Sequence, residues 1–346
     1  MGKLITRVVL GIAAGIAVYV GFSIWANAGR VADALARFHW GAAAAACALA
    51  LGNYAVRFVR WQYYLRVLGL GTRRAKAAPP PEPIAGGSEP FEGSELGISV
   101  ADSGMVFLAG FALTVTPGKL GEAVKAFLLR ESHRIPIART APIVIAERVT
   151  DLVALLLLAM VGVFSFEVDR RFLIAGAVLV ALAIAVISIE PMSELALSIA
   201  GRLPFVHRFA PRLREFHVHT AAMLRPAPLA VATALSCVSW FLECLAFWTV
   251  VGGMEGAAVS LRAATFIYSS MTVAGALSFL PGGLGVTEAG MLALLIRLGT
   301  GLDRGSAAAA TFVTRACTLW FAVALGLPAL IAYARRKHVH VEDVSH

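Results

Sequence analysis

The sequence predicts an all-α integral membrane protein with about six transmembrane helices and two re-entrant hairpins of broken helix, arranged as an inverted repeat. Three observations predict this class. Hydrophobic residues make up 59% of the 346 residues and charged residues 15%, and the mean hydropathy is +0.78, as in polytopic membrane proteins. Two apolar segments are each interrupted in the middle by proline and glycine. Each of these is followed by an arginine inside a later apolar run.

The positive charge of the chain is interpreted as a membrane-orientation signal. The net charge is +9, which in a soluble chain would suggest a nucleic-acid partner. Here the basic residues lie mostly between apolar runs, as the positive-inside rule expects. We therefore expect no nucleic-acid partner and place both termini in the cytoplasm. The four cysteines lack metal-ligand spacing, so we expect no metal site and no cofactor.

The N-terminal part of the chain predicts two spans and a linker. Residues 3–24 are too long an apolar stretch for a signal-peptide core, so we favour a retained helix over a cleaved signal. Residues 41–59 form the second span. The mixture of arginine and aromatic residues at 53–64 is typical of a membrane–water interface. Residues 73–99, rich in proline and glycine, are predicted to be a cytoplasmic linker.

The first broken pair comprises residues 100–116 and 119–129. Neither piece has the roughly 20 residues that a span needs, and Pro117-Gly118 lies between them. We interpret the pair as a re-entrant hairpin that is entered and left on the cytoplasmic side. Residues 140–165 then span outward.

The second half repeats this plan. Residues 172–189 span back, and 190–226 form a cytoplasmic linker or an interfacial helix pair broken near Pro204 and Pro211. A span at 228–250 leads outward to the second broken pair. The two pieces of that pair are 263–280 and 284–298, and the break between them is 281–283. The last span is 306–333.

The predicted topology gives two units of opposite orientation within a single membrane domain covering residues 1–346. The first unit is 41–165 and the second is 228–333. Such inverted repeats occur in transporters that give alternating access to a site near the membrane midplane.

The tips of the two hairpins form the predicted site. The second half-helix of each hairpin begins there, so its N–H groups and the positive end of its dipole suit an anion such as a phosphodiester. The alternative is that the glycines serve only helix packing. The residues that we expect to bind substrate are Pro117, Gly118, Lys119, Gly121, Glu122, Glu147, Arg148, Asp151, Pro281, Gly282, Gly283, Gly285, Glu288 and Arg315.

Ion pairs are expected near the tips. A charge within the membrane costs at least about 2.5–3.5 kcal/mol, and helix-dipole stabilisation of about 0.3–1 kcal/mol does not offset this. We therefore expect Glu122 and Glu288 to pair with Arg148 and Arg315, either within one repeat or across the two.

Three further carboxylates lie in the predicted spans. Glu147 and Asp151 are four residues apart and share a helix face, which favours a proton or cation relay and a structural ion network equally. Glu243 is predicted to be an unpaired carboxylate in the wall of a cavity, with Ser236 and Ser239 near it.

These motifs resemble a known family. Pro117-Gly118-Lys119-Leu120-Gly121-Glu122, Glu147-Arg148-Val149-Thr150-Asp151 and the segment from Leu280 to Ala289 are similar to the hallmarks of the flippase-like family, and Arg60-Trp61 also fits. That family supplies the membrane half of bacterial lysylphosphatidylglycerol synthases, and stand-alone members include proteins associated with hopanoid biosynthesis.

The resemblance implies a protein of the bacterial inner membrane that moves or presents a lipid. Its partner would be an anionic or aminoacylated phospholipid or an isoprenoid-type lipid. Because nothing after Lys337 can form the soluble aminoacyltransferase domain of the synthases, we expect no enzymatic activity. Two alternatives remain open. One is a non-catalytic partner in a lipid-synthesis complex, and the other is an intramembrane enzyme using Glu122 or Glu288.

Overall fold

A computed structural model describes residues 27–70, 97–115, 123–163 and 210–337, with a few isolated positions between 17 and 24 and at 174 and 178. These residues are helical apart from short connections and one isolated β-bridge. The predicted all-α class is therefore confirmed. Apart from the isolated positions, the predicted spans 3–24 and 172–189 lie outside the described residues, and so does nearly all of the linker 73–99.

Long helices alternate along the chain with shorter helices, which form the limbs of the hairpins. Those in the described ranges are α1 (Ala28–Ala36), α2 (Trp40–Val67), α3 (Val100–Ala109) with a 3-10 extension (Gly110–Leu113), α4 (Val124–His133), α5 (Ile137–Val163), α6 (Ala210–Met223), α7 (Pro226–Gly252), α8 (Leu261–Leu277), a 3-10 turn (Pro281–Gly283), α9 (Val286–Leu298), α10 (Arg304–Arg315), a π-helical turn (Ala316–Trp320) and α11 (Phe321–Lys337).

Three helical runs in the described part of the chain are long and apolar enough to cross a membrane. They are α2, α7 and the continuous run from α10 through the π turn to the end of α11. These runs cover the spans predicted at 41–59, 228–250 and 306–333.

α5 covers the span predicted at 140–165 but differs from those three in its charge. Its 27 residues have a length of about 40 Å at 1.5 Å per residue, enough for a crossing. It carries Glu147, Arg148 and Asp151 within four turns of its start. These charges can lie in an apolar layer only if other helices neutralise them.

The predicted linker at 190–226 is helical over its last part. α6 begins at Ala210 and packs along α5. Pro211 stands in its first turn, where a missing N–H breaks no helical hydrogen bond. Pro211 therefore lies at the start of this helix and does not break it, and Pro204 lies outside the described residues.

α2 and α7 pack side by side in opposite directions. At the start of α2, the backbone N–H of His39 donates to the carbonyl oxygen of Gly253, just past the end of α7, at 3.0 Å. Near the other end of α2, the Arg60 guanidinium donates to the hydroxyl of Ser236. Residue numbers thus rise along one helix where they fall along the other, so the first helices of the two halves are antiparallel.

Small side chains allow this close packing. The first part of α2, from Gly41 to Gly52, consists largely of alanine, and Ala46 and Ala50 are fully buried. Faces of small residues let helix backbones approach each other in membranes.

α8 and α9 form a helical hairpin around the break Pro281-Gly282-Gly283. Gly282, Gly283 and Gly285 have φ values of 60°, 67° and 88°, a region that side chains disfavour. Gly283 also lies against α8, where an added Cβ would stand 3.0 Å from the Cα of Gly275. The glycines therefore permit both the turn and the close contact of the tip with α8.

α3 and α4 are the limbs of the other predicted hairpin. Their outer ends meet, because Oδ2 of Asp102 lies 3.8 Å from Nε2 of His133. The ammonium of Lys337, at the end of α11, reaches the same carboxylate at 3.0 Å. The connection 116–122, which contains the first Pro-Gly break, lies outside the described residues.

The two limb pairs open towards opposite ends of the bundle. The outer ends of α8 and α9 are joined by two backbone hydrogen bonds between Ala258 and Thr300, at 2.9 and 3.0 Å. Ala258 closely follows Gly253 in the sequence, and Gly253 contacts the start of α2. The outer ends of α3 and α4 lie at the other end of α2. There Arg139, in the first turn of α5, donates to the carbonyl oxygen of Leu68 at 2.8 Å.

The inner ends of the hairpins meet in the middle. Val115, the last described residue before the first break, shares an apolar cluster with Leu284, Leu319 and Val323. A Cβ placed on Gly282 would stand 3.7 Å from the Cα of Val115. The second break therefore lies beside the residue that leads into the first.

The helix contacts are similar when the two halves are exchanged. α3 packs on α11, the last helix of the second half, and α8 packs on α5, the last long helix of the first half. α4 contacts α5 as α9 contacts α10, while α2 and α7 contact each other. The first limb of each hairpin therefore packs more extensively on the last long helix of the opposite half than on the first helix of its own half.

Gly110→Ala should destabilise the protein. An added Cβ would stand 2.9 Å from Cγ of Lys125, a side chain fixed at its far end by an ion pair with Glu147. Overpacking of this kind costs about 1–3 kcal/mol, which exceeds the gain of about 0.5–1 kcal/mol from replacing a helical glycine by alanine. The measurement is the thermal unfolding midpoint of the purified protein in detergent.

The matched control is Gly104→Ala in the same limb. Its Cβ would make an ordinary contact, 3.8 Å from the ring of Phe58, so this variant should unfold at or slightly above the wild-type temperature. Equal midpoints for the two variants would contradict the packing described here.

Candidate functional site

Polar residues recur on one face of α2. Asn53, Arg57 and Arg60 follow the helical spacing i, i+4, i+7, so they share a face. Arg57 is 8% exposed and Arg60 1% exposed. These arginines are therefore buried inside the bundle, where carboxylates and hydroxyls of α5 and α7 face them, and the interpretation of 53–64 as a membrane–water interface stays a prediction.

Asp151 of α5 is the centre of the first charge cluster. Its Oδ1 lies 2.5 Å from Nη1 of Arg60, and its Oδ2 lies 3.4 Å from Nη2 of Arg57 and 3.3 Å from Nη2 of Arg148. Three guanidinium groups thus surround one carboxylate. The Arg148 side chain is 25% exposed, so the cluster reaches the surface of the bundle at this point.

Some of the hydrogen-bond donors of Arg60 have no partner among the described residues. Its Nη1 also donates to Ser236 of α7 and, at 3.4 Å, to Thr150 of α5. Its Nε and Nη2 are buried and have no hydrogen-bond partner among the described residues. Buried guanidinium donors are normally paired, so a further acceptor is expected beside this residue.

Glu147 belongs to a second buried pair. The ammonium of Lys125 on α4 lies 2.6 Å from its Oε2 and 4.8 Å from the ring centroid of Trp61 on α2. Trp61 in turn donates from Nε1 to the hydroxyl of Ser103 at 2.9 Å. The pair therefore joins α4 to α5 and lies against α2.

Glu288 and Arg315 form the third pair, at the second hairpin tip. Nε of Arg315 lies 2.7 Å from Oε1 of Glu288, and Nη2 donates to the carbonyl oxygen of Gly282 at 2.6 Å. Oε2 of Glu288 accepts a hydrogen bond from the backbone N–H of Gly285 at 2.7 Å. The carboxylate thus caps the start of its own helix, α9, while pairing with α10.

Glu243 of α7, predicted to be unpaired, has hydrogen-bond partners but no ion-pair partner among the described residues. It accepts hydrogen bonds from the Asn53 amide of α2 and from the Tyr268 hydroxyl of α8. The sequence does not indicate these donors, because both come from distant parts of the chain. Ser236, on the same helix as Glu243, accepts a hydrogen bond from Arg60.

The helix after Arg315 contains a π turn. The turn spans Ala316–Trp320, and the hydroxyl of Tyr54 on α2 donates to the carbonyl oxygen of Thr318 in it at 2.9 Å. π turns are frequent at functional sites. This turn directly follows Arg315 in the chain and contributes Leu319 to the apolar cluster of the two tips.

One of the two expected ion pairs is present in the structure, and part of the other lies outside the described residues. The expected pairing of Glu288 with Arg315 is present within one repeat. Arg148 contacts Asp151, and its expected partner Glu122 lies outside the described residues. The remaining predicted residues outside the described part are Pro117, Gly118, Lys119 and Gly121. Substrate binding by any of these residues stays a prediction.

The structure gives the contacts of Glu147 and Asp151, for which the sequence favours a proton or cation relay and a structural ion network equally. The two carboxylates face different cations, Lys125 for the first and three arginines for the second. Each is thus part of an ion network. Among the described residues, no group of three or more His, Cys, Asp or Glu side chains is arranged to hold a metal.

Sequence reasoning missed the residues of the site that lie on other helices. They are Asn53, Arg57, Arg60, Lys125 and Tyr268. The available signal was the helical spacing of polar residues within an apolar run on α2, which marks a buried face more directly than local composition does.

Comparisons with known proteins identify the family of this chain. The family described as "Lysylphosphatidylglycerol synthase TM region" matches residues 12–326, which confirms the resemblance found in the sequence. A UPF0104 membrane protein of Methanothermobacter thermautotrophicus is 26% identical over 321 residues, covering 88% of this chain and 86% of that protein. A second UPF0104 membrane protein of the same organism is 26% identical over 250 residues, covering 65% and 73%.

The Glu288–Arg315 pair should show strong energetic coupling. Glu288→Gln or Arg315→Gln alone leaves an uncompensated buried charge, which typically costs about 3–5 kcal/mol. The double variant removes both charges and should be less destabilised than the sum of the single variants. Thermal unfolding of the four proteins in detergent provides the double-mutant cycle.

The matched control is the cycle of Arg37→Gln and Glu255→Gln. This pair has a similar separation, 3.2 Å, but its side chains are 67% and 60% exposed. Exposed pairs contribute about 0.2–1 kcal/mol. Coupling at residues 288 and 315 no larger than in this control would contradict a buried ion pair.

Proposed function

Because the chain belongs to the lysylphosphatidylglycerol synthase TM region family, we propose that it moves or presents a membrane lipid across the bacterial cytoplasmic membrane. The proposed substrate is an anionic or aminoacylated phospholipid, or an isoprenoid-type lipid carrying phosphate. The chain is proposed to act as a transporter and not as an enzyme.

The two buried guanidinium groups of Arg57 and Arg60, which share the carboxylate of Asp151, carry this proposal. Arg60 is 1% exposed, and its Nε and Nη2 have no hydrogen-bond partner among the described residues. Unpaired buried charge is costly in a low-dielectric interior. A phosphodiester would supply a negative charge and acceptors for Nε and Nη2 of Arg60, since guanidinium groups suit phosphate geometry.

The arrangement of the hairpins supports transport rather than static binding. The two limb pairs open at opposite ends of the bundle, and their inner ends lie side by side. Helices α2 and α7, which begin the two halves, are antiparallel. This is the arrangement of transporters in which two inverted units rock around a midplane site. It supports the prediction that 41–165 and 228–333 are inverted repeats with re-entrant hairpins.

Charge also supports the proposed orientation. The end of the bundle that contains Leu68 carries the larger excess of basic over acidic residues in the described part of the chain. Its carboxylates are Asp102 and Glu131, whereas at the other end the arginines at 30, 37, 262, 297 and 304 are offset by Asp33, Glu255 and Asp303, with Arg30 and Arg37 facing Asp303 and Glu255 at 3.6 and 3.2 Å. The positive-inside rule places the basic end in the cytoplasm. The described basic residues of that end are Arg66, Arg130, Arg134, Arg139, Arg225, Arg335, Arg336 and Lys337.

Arg60→Gln should slow transport of anionic lipid. The test uses proteoliposomes with fluorescent phosphatidylglycerol or phosphatidylcholine analogues and a membrane-impermeant quencher, so that leaflet exchange is measured directly. A hydrogen bond to a charged group contributes about 1.5–3 kcal/mol, so exchange of the phosphatidylglycerol analogue at limiting lipid should fall about tenfold or more.

Arg37→Gln is the matched control, because Arg37 is exposed and lies outside the cluster. It should exchange lipid at the wild-type rate, and thermal unfolding should show that both variants are folded. A folded Arg60→Gln protein with the wild-type rate would contradict the proposed phosphate site.

The same assay separates the alternative functions. Exchange no faster than in empty liposomes, for every lipid tried, would favour a partner subunit of a lipid-synthesis complex. A covalently altered lipid recovered from the liposomes would favour an intramembrane enzyme.

A further inference from the structure

Glu243 differs from the other buried carboxylates in the kind of partner it has. It is 7% exposed, and its two hydrogen-bond donors, the Asn53 amide and the Tyr268 hydroxyl, are both neutral. Among the described residues, no cation lies within ion-pair distance of it. Asp151, Glu147 and Glu288, in contrast, each have at least one buried cation as partner.

The charged groups around Glu243 are engaged elsewhere. Arg57, facing from α2, pairs with Asp151 of α5, and Arg315, from α10, pairs with Glu288. The other titratable groups that face it are the hydroxyl of Tyr54 on α2, the hydroxyl of Tyr268 on α8 and the thiol of Cys244 on its own helix. A negative charge on Glu243 is thus stabilised by hydrogen bonds and by more distant arginines, not by contact with a cation.

The surroundings of Glu243 also suit its neutral form. Oδ1 of Asn53 is buried and has no hydrogen-bond partner among the described residues. An ionised Glu243 accepts from the Asn53 amide nitrogen, whereas a protonated Glu243 can donate to the amide oxygen after rotation of the amide. The same pair can therefore keep one hydrogen bond in either state, with the amide oxygen of Asn53 unpaired in the ionised state and its amide nitrogen unpaired in the protonated state.

Protonation does change the contact with the second hairpin. Tyr268 lies on α8, the limb that leads to the break at 281–283, and its hydroxyl donates to Oε2 of Glu243. A carboxylate accepts such a bond more strongly than a neutral acid does. Proton binding therefore weakens a link between α8 and the α2–α7 pair.

We propose that Glu243 is a proton-binding site that couples proton movement to the position of the α8–α9 hairpin. The carboxylate takes up one proton from one face of the membrane and releases it to the other, with no other bond made or broken. This proposal rests on the proposed transport function for its role, whereas the proton site itself can be tested without lipid transport.

The first test measures the proton directly. Infrared difference spectra of the reconstituted protein, recorded between acidic and alkaline pH, should contain the carbonyl stretch of a buried protonated carboxyl group. Glu243→Gln should lose this band, and Glu255→Gln, at an exposed glutamate outside the site, should retain it. Tyr268→Phe, which removes one donor but keeps the ring, should shift the band.

The second test measures coupling. In the proteoliposome assay, the wild-type protein should respond to a pH gradient across the membrane. Its rate of lipid exchange should change about tenfold for each unit of pH difference between the two faces. Glu243→Gln should exchange lipid at a rate that does not respond to the gradient. Glu255→Gln should respond as the wild type does.

The outcomes distinguish this proposal from the proposed function. A band that persists in folded Glu243→Gln protein, or no such band in wild type, overturns the proton site. Lipid exchange that ignores the gradient in wild type overturns the coupling and leaves transport standing. No lipid exchange by wild type, with a band that depends on Glu243, overturns transport and supports the proton site. If Glu243→Gln does not fold, the shift in Tyr268→Phe decides, and no shift counts against the proposal.

Discussion

The pairing of buried arginines with buried carboxylates is the interaction on which the rest of the structure depends. A lone charge in an apolar interior is strongly destabilising, so each charged helix must lie where a partner can reach it. Asp151 ties Arg57 and Arg60 of α2 to α5. Glu288 ties α9 to Arg315 of α10. Because these pairs join different helices, they fix the register of the bundle as well as neutralising its charges.

The same pairing makes the broken helix of the second hairpin possible. A break inside an apolar layer exposes backbone groups that water cannot satisfy. Here Arg315 binds the carbonyl oxygen of Gly282, and Glu288 binds the N–H of Gly285. The Glu288–Arg315 pair therefore satisfies backbone groups that the Pro-Gly-Gly break leaves without helical partners. Glu288 itself thus occupies the helix start at which the sequence predicts an anion site, and the proposed phosphate site lies instead beside the arginines around Asp151.

The parts of this fold that the sequence predicts are those marked by local contrast. The break at 281–283 and the pair Glu288–Arg315 stand out because proline, glycine and charge are rare in apolar runs. The burial of Arg57 and Arg60 is not predicted, because arginine among aromatic residues has the same local composition at an interface and in a buried polar face. Their partner Asp151 is some ninety residues away, so only tertiary packing decides between the two.

The two halves share their packing but not their charges. In the first half the hairpin limb carries the cation, Lys125, towards Glu147 of α5, whereas in the second the limb carries the anion, Glu288, towards Arg315. Among the described residues, Arg57 and Arg60 share one carboxylate, Asp151. The proposed phosphate site therefore lies in the first half, whereas the proposed proton site at Glu243 is linked to the second hairpin through Tyr268. Asn53, Arg57 and Arg60 bring both proposed sites to one face of α2, so a tilt of α2 would change the two sites together.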